Sequence, residues 1–128
     1  MNIRFAVVFF VAFLACSAGR TSRPQRQPAD HYLILAAELK DSPQSDLHEA
    51  IRQLRPTWFT SGARNLGRGE ATILVYLDDQ PIGNATVLSR FSTTSVASVR
   101  YISATEAQVR YGPSNGNRPA ILLESARD

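Results

Sequence analysis

Asp78 and Asp79, adjacent in VYLDDQPIG, are the side chains of this chain with the plainest chemical potential. Two carboxylates can divide acid and base work or hold a cation. Their adjacency argues for another role. Neighbours at a strand end point to opposite sides, and before Gln80-Pro81 a turn favours Asp for its local backbone hydrogen bonds. His48-Glu49 has the start of a zinc-protease helix, yet Arg52 stands where the second histidine is needed. His31 and His48 are the only histidines, which excludes a histidine-rich metal site. GARNLGRG, Gly62 to Gly69, approaches a phosphate loop, but Arg68-Gly69 follows Gly67 where Gly-Lys-Ser/Thr is required. No serine sits in a Gly-x-Ser-x-Gly elbow. The residues thus form no catalytic constellation, and they call for no metal and no cofactor.

The elements that would position these residues are well punctuated. YLIL is a short apolar run, and AAELK makes one or two helical turns ending before Asp41-Ser42-Pro43. Asp46 with Glu49 is a capping box, and Leu47, Ala50, Ile51 and Leu54 fall on one helical face. Pro56 stops that helix, and Trp58 and Phe59 beyond it are read as core residues. ATILVYLD is continuously apolar, as suits a strand buried on both faces. Pro81-Ile82-Gly83 returns as an edge strand. In VASVRYIS, Val99 and Tyr101 share a face. Ser103 and Glu106 form a second capping box, Glu106 and Arg110 an i,i+4 pair worth ~0.3 kcal/mol. Ala104, Ala107, Gln108 and Tyr111 line the face that meets a sheet, Gly112 is the helix stop, and Pro113 prevents continuation. A polar loop, Ser114 to Arg118, leads to a last strand, AILLES. The fold class is α+β: a small mixed sheet of about four strands with two or three packed helices.

The 128 residues carry a net charge of +3. Four of the fourteen Lys and Arg residues, Arg4, Arg20, Arg23 and Arg26, precede Asp30. The remaining ten face eleven acids, so the globular part is nearly neutral. It has no basic face of the kind that tracks phosphates, and nucleic acid is excluded as a partner.

The first residues read as an export signal: Arg4, then the apolar run Phe5 to Leu14, about half of the ~20 residues a membrane span needs. Cys16 is the only cysteine and cannot form an internal disulfide. FLAC, Phe13 to Cys16, resembles the bacterial lipoprotein signal, which implies cleavage before Cys16 and its acylation. Ordinary cleavage after Ala18 is the alternative. The resulting layout is a signal peptide over 1–15, a lipid-anchored flexible linker over 16–30 containing Pro24 and Pro28, and a domain over 31–128. Ser17 beside the acylated cysteine implies the outer membrane, facing the periplasm. A secreted or soluble periplasmic protein follows from the alternative cleavage.

The order of Leu47–Pro56, Val75–Asp78, Val96–Ile102, Tyr111–Gly112 and Ala120–Leu123 resembles the plug domain of TonB-dependent outer-membrane receptors. Three positions depart from that pattern: Asp79 for a turn glycine, no glycine after Pro56, and Arg118-Pro119 for Gly-Gly. Receptor barrels need many ~10-residue strands, and nothing after Asp128 supplies them. The resemblance therefore implies a stand-alone plug-like lipoprotein that is not an enzyme. It would bind an outer-membrane protein or a small ligand, with contact residues in two loops: Arg64, Asn65 and Arg68 in the first, Asn115, Asn117 and Arg118 in the second. The rival classes are a small exported hydrolase using Asp78 or Asp79, and a purely structural envelope protein.

Overall fold

A computed structural model describes residues 30–60 and 72–127. Five strands form one mixed sheet, one more than the sequence reading counted. They are β1 (Leu33–Leu35), β2 (Leu74–Leu77), β3 (Gln80–Asn84), β4 (Val96–Ile102) and β5 (Ala120–Ser125), in the spatial order β1-β4-β5-β2-β3. Only β2 and β5 run parallel; the other pairs are antiparallel. Three α-helices join them: α1 (Ala36–Lys40), α2 (Leu47–Leu54) and α3 (Ala104–Tyr111). Residues 56–60 are also helical, so Pro56 both stops α2 and opens the next turn, where its missing N–H costs nothing. The 3₁₀ turns Ala85–Arg90 and Pro113–Asn115 lie between these elements.

Strand register sorts the side chains into two faces. Ile34, Val99 and Leu123 lie in one cross-strand row, and Tyr101, Ile121 and Val75 in the next. This face packs against α1, α2, residues 56–60 and the first 3₁₀ turn, which contribute Leu39, Leu47, Ile51, Trp58, Phe59 and Leu88. Trp58 and Phe59 are buried, as their bulk requires. Trp58 stacks on Tyr101 and donates its indole N–H to the His31 carbonyl at 2.9 Å. The register of β4 slips between Val96 and Ser98. That bulge at Ala97 lets Val96 and Val99 both enter the core although they are three residues apart.

The α2 cap forms as its sequence requires. Asp46 accepts from the amides of His48 at 2.7 Å and Glu49 at 3.3 Å, while the Leu47 amide donates to the Phe91 carbonyl. The outer edge of β1 is closed by its own neighbours. The Leu33 amide donates to the Asp30 carbonyl, and Arg55, held by Glu38 at 2.7 Å, donates to the Leu33 carbonyl.

On the opposite face only α3 packs. Ser103 caps it by accepting from the Glu106 amide at 3.2 Å. Ala107 is fully buried against Ile102, Ala120, Leu122 and Tyr76, because a methyl lets the helix approach the sheet closely. Gly112 ends the helix at φ 76°, ψ −169°, a conformation that side chains other than glycine's avoid.

Candidate functional site

The helix α3 covers only part of its face of the sheet. Cross-strand register places Leu33, Arg100, Leu122 and Tyr76 in one row and Leu35, Ser98 and Glu124 in the next. Tyr76 and part of Leu122 lie under α3. The rest forms the floor of an open groove of about 800 Å³, walled by Arg110 of α3 and by the β2–β3 turn.

That turn is Asp78-Asp79, and both residues have positive φ, 46° and 67°. Two consecutive left-handed residues make the turn type whose twist matches a two-residue hairpin, and Asp tolerates that conformation better than most. The two carboxylates diverge, as adjacency predicts. Asp78 accepts from the amide of Ser125 at 3.0 Å and its hydroxyl at 2.7 Å. Asp79 accepts from Arg110 at 2.8 Å and from the Tyr111 hydroxyl at 2.7 Å. The Ser125 bonds, and secondarily Arg127, hold Asp78 below the ordinary carboxylate range. The Tyr111 and Arg110 bonds do the same for Asp79. Desolvation and the bond to Asp79 push the Tyr111 hydroxyl up to about 12, and Asp79 raises Arg110. Arg110 reaches across to the hairpin rather than back to Glu106, so the helical pair expected from spacing is replaced by a tertiary one.

Asn115 corrects the sequence reading. Expected at a contact surface, it is fully buried. Its amide oxygen accepts from the Tyr76 hydroxyl at 3.2 Å and its amide nitrogen donates to the Arg118 carbonyl. It fastens the loop after α3 to the sheet, beneath the stacked rings of Tyr76 and Tyr111, whose centroids lie 3.8 Å apart. Arg118 is half-buried and donates back to the Asn115 carbonyl at 3.2 Å. Asn117 is exposed at φ 53°. None of the three lines the groove. Cys16, Arg64, Asn65 and Arg68 lie outside the described residues, as do the signal and linker.

The groove itself was not anticipated. Arg100 is exposed and has no ion-pair or hydrogen-bond partner among the described residues. Glu124 accepts through Oε2 from the Ser98 hydroxyl at 2.7 Å, and its other oxygen takes no hydrogen bond among the described residues. The available signal was the period-two alternation of β4: Ser98 and Arg100 stand opposite buried Val99.

Among the described residues, no group of three or more His, Cys, Asp or Glu side chains could hold a metal ion. His48 packs against Phe59 with ring centroids 5.2 Å apart, on the helix-covered side. None of the described helices is long and apolar enough to cross a membrane. No family model, curated protein or solved structure matches the chain.

Proposed function

We propose that this chain is a non-catalytic, plug-like binding module of the bacterial envelope, tethered through acylated Cys16, and that its contact surface is the groove beside Arg100. The observation that carries the reading is the half-covered sheet. Leu33, Leu35, Arg100 and one Glu124 oxygen stay available, while the neighbouring carboxylates are consumed by the fold. A binding surface needs groups of that kind: apolar area with a few unspent polar ends. The resemblance to receptor plugs adds the membrane setting.

The hydrolase alternative, as built on Asp78 or Asp79, rests on the Ser125 hydroxyl donating to Asp78 at 2.7 Å. A carboxylate held below its ordinary range is a poor base toward a hydroxyl, and general bases work best with a pKa near the operating pH. The groove is therefore read as binding without turnover.

The test places a photo-reactive side chain at Leu35 in the full chain, expressed in a bacterium with two membranes. Intact-mass spectrometry then reads adducts after illumination. Discrete adducts at Leu35 that disappear with Arg100→Glu, and none from the same side chain at Glu106, are expected. Identical adduct patterns at both positions would sink the contact surface. Labelled palmitate incorporated into wild type and lost in Cys16→Ser is the matching result for the tether.

A further inference from the structure

We propose that the groove takes a short apolar peptide with free ends, a dipeptide or tripeptide zwitterion, with its carboxylate on Arg100 and its ammonium on Glu124. The inference rests on the binding reading above and names the ligand class for the same groove.

Two unspent ends of opposite sign, Arg100 and Glu124, lie on adjacent strands of the groove floor; Arg127, which also lines the groove, acts on Asp78. Arg100 carries five donors with no partner among the described residues. A guanidinium recognises a carboxylate in a bidentate, planar manner. Glu124 is held in place by Ser98 through one oxygen and offers the other. The other acids of the groove are committed, Asp78 to Ser125 and Asp79 to Arg110 and Tyr111. A ligand with only an anionic head would satisfy Arg100 and leave Glu124 facing its apolar body.

Spacing sets the length. Arg100 pairs with Leu122, and Ser98 pairs with Glu124, so Arg100 and Glu124 are diagonal neighbours on adjacent strands. Diagonal positions lie about 7–8 Å apart. An extended residue spans about 3.3–3.6 Å, so a dipeptide reaches from one position to the other, and the long Arg100 and Glu124 side chains can spread their heads to the ends of a tripeptide. Leucines stand beside the charged ends: Leu33 and Leu122 flank Arg100 in register, and Leu35, 52% exposed, flanks Ser98, while Asp78, Asp79, Arg110 and Arg127 also line the groove. The side chains of the ligand are therefore apolar.

Strand addition, a common way for a sheet to take a peptide, is closed at β1, the edge beside the groove. Adding a strand to β1 needs free backbone groups on its outer edge, and those of Leu33 are taken by Asp30 and Arg55. The ligand lies on the face of the sheet and is recognised by its ends.

The experiment titrates the full chain with Leu-Leu and follows backbone amide resonances by NMR. Saturable shifts centred on Ser98, Arg100 and Glu124 are expected. N-acetyl-Leu-Leu and Leu-Leu-amide should each bind about tenfold more weakly, since each loses one hydrogen bond between charged groups. In Arg100→Ala the amide and the free acid should bind alike; in Glu124→Gln the acetylated and free peptides should bind alike. Three outcomes would overturn the proposal: no shifts at 10 mM peptide, equal affinity of blocked and free peptides for wild type, or decanoate binding as tightly as Leu-Leu. The last would give the groove to a one-headed amphipath. In all three, adducts at Leu35 in the envelope experiment would leave the binding reading standing with a different occupant.

Discussion

On the helix-packed face of the sheet, the buried cluster is almost wholly aliphatic and aromatic, built from every strand but β3, from three α-helical segments and from the first 3₁₀ turn. On the other face the cluster is small, Tyr76, Ile102, Ala107, Ala120 and Leu122, and it is completed by hydroxyls, an amide and an ion pair. The first face is closed by area, the second by a few directed bonds around two stacked tyrosines. The contrast has a consequence for function. A face sealed by area leaves nothing free, whereas a face closed at one end by directed bonds can stay open at the other.

The sharpest comparison uses two neighbours on β5. Leu123 is 1% exposed in the large cluster, and Leu122 is 9% exposed beside the groove, on opposite faces of one strand. Leu123→Ala should cost about 3 kcal/mol, because removing a fully enclosed leucine leaves a cavity as well as losing transfer energy. Leu122→Ala should cost about half that, since the groove side can relax and rehydrate. Urea unfolding at constant m reads both. Equal losses would erase the distinction between the faces.

Next in size is Asn115→Ala, at about 2 kcal/mol. It leaves the Tyr76 hydroxyl and the Arg118 carbonyl without partners in a buried place. Asn117→Gly, two residues on, should change stability by less than ~0.5 kcal/mol, as glycine accepts the same positive φ. A small effect at Asn115 would mean that the tyrosine stack and the Asp79 bonds hold α3 and its loop without it.

Asn115 also marks the limit of what the chain discloses before it folds. N-caps at Asp46 and Ser103, the Asp78-Asp79 turn and the strand AILLES are local patterns, decided by a few consecutive residues, and they appear where expected. A buried Asn in Pro-Ser-Asn-Gly-Asn looks like any turn residue. Its role depends on Tyr76, 39 positions away. The same holds for Arg110, whose partner by spacing was Glu106 and whose partner in space is Asp79, 31 positions away. The groove is harder still to foresee. Leu33, Arg100 and Glu124 come from three strands, and only the register of β1 against β4 and β4 against β5 brings them together.

The directed bonds of the second face predict an acid signature that the first face lacks, while on the alkaline side Tyr101 of the first face, raised by burial, acts beside Tyr111. Asp78 and Asp79 bind protons more weakly folded than unfolded. Their contribution to stability is present above the unfolded carboxylate value, about 3.9, and is lost as pH falls through the lower folded values. Tyr111 behaves in the reverse sense. Its folded value, about 12, exceeds the unfolded value of about 10, so its contribution is present below pH 10 and is lost as pH rises through 12. Urea midpoints should therefore fall below about pH 4 and again above about pH 10. Asp79→Asn should be less stable than wild type at pH 7 and converge with it in acid. Tyr111→Phe keeps the ring stack on Tyr76 and should reduce the alkaline fall, leaving the share of Tyr101. An unchanged acid limb in Asp79→Asn would remove the carboxylate from the closure of this face.

The smallest expected effect is at the open end. Arg100→Ala and Glu124→Gln should each shift stability by less than ~0.5 kcal/mol, the range of surface changes that break no specific feature. The reason is that neither is spent on the fold: Arg100 has no partner among the described residues, and Glu124 as Gln still accepts from the Ser98 hydroxyl. An arginine stem can nonetheless cover apolar surface, and Leu33 and Leu122 flank this one in register. Arg100→Met separates the two contributions, since it keeps an apolar stem and removes the charge. If Arg100→Ala lost more than ~1 kcal/mol and Arg100→Met restored it, the side chain would be a lid on the small cluster, and the open end of the sheet would be packing rather than a place to bind.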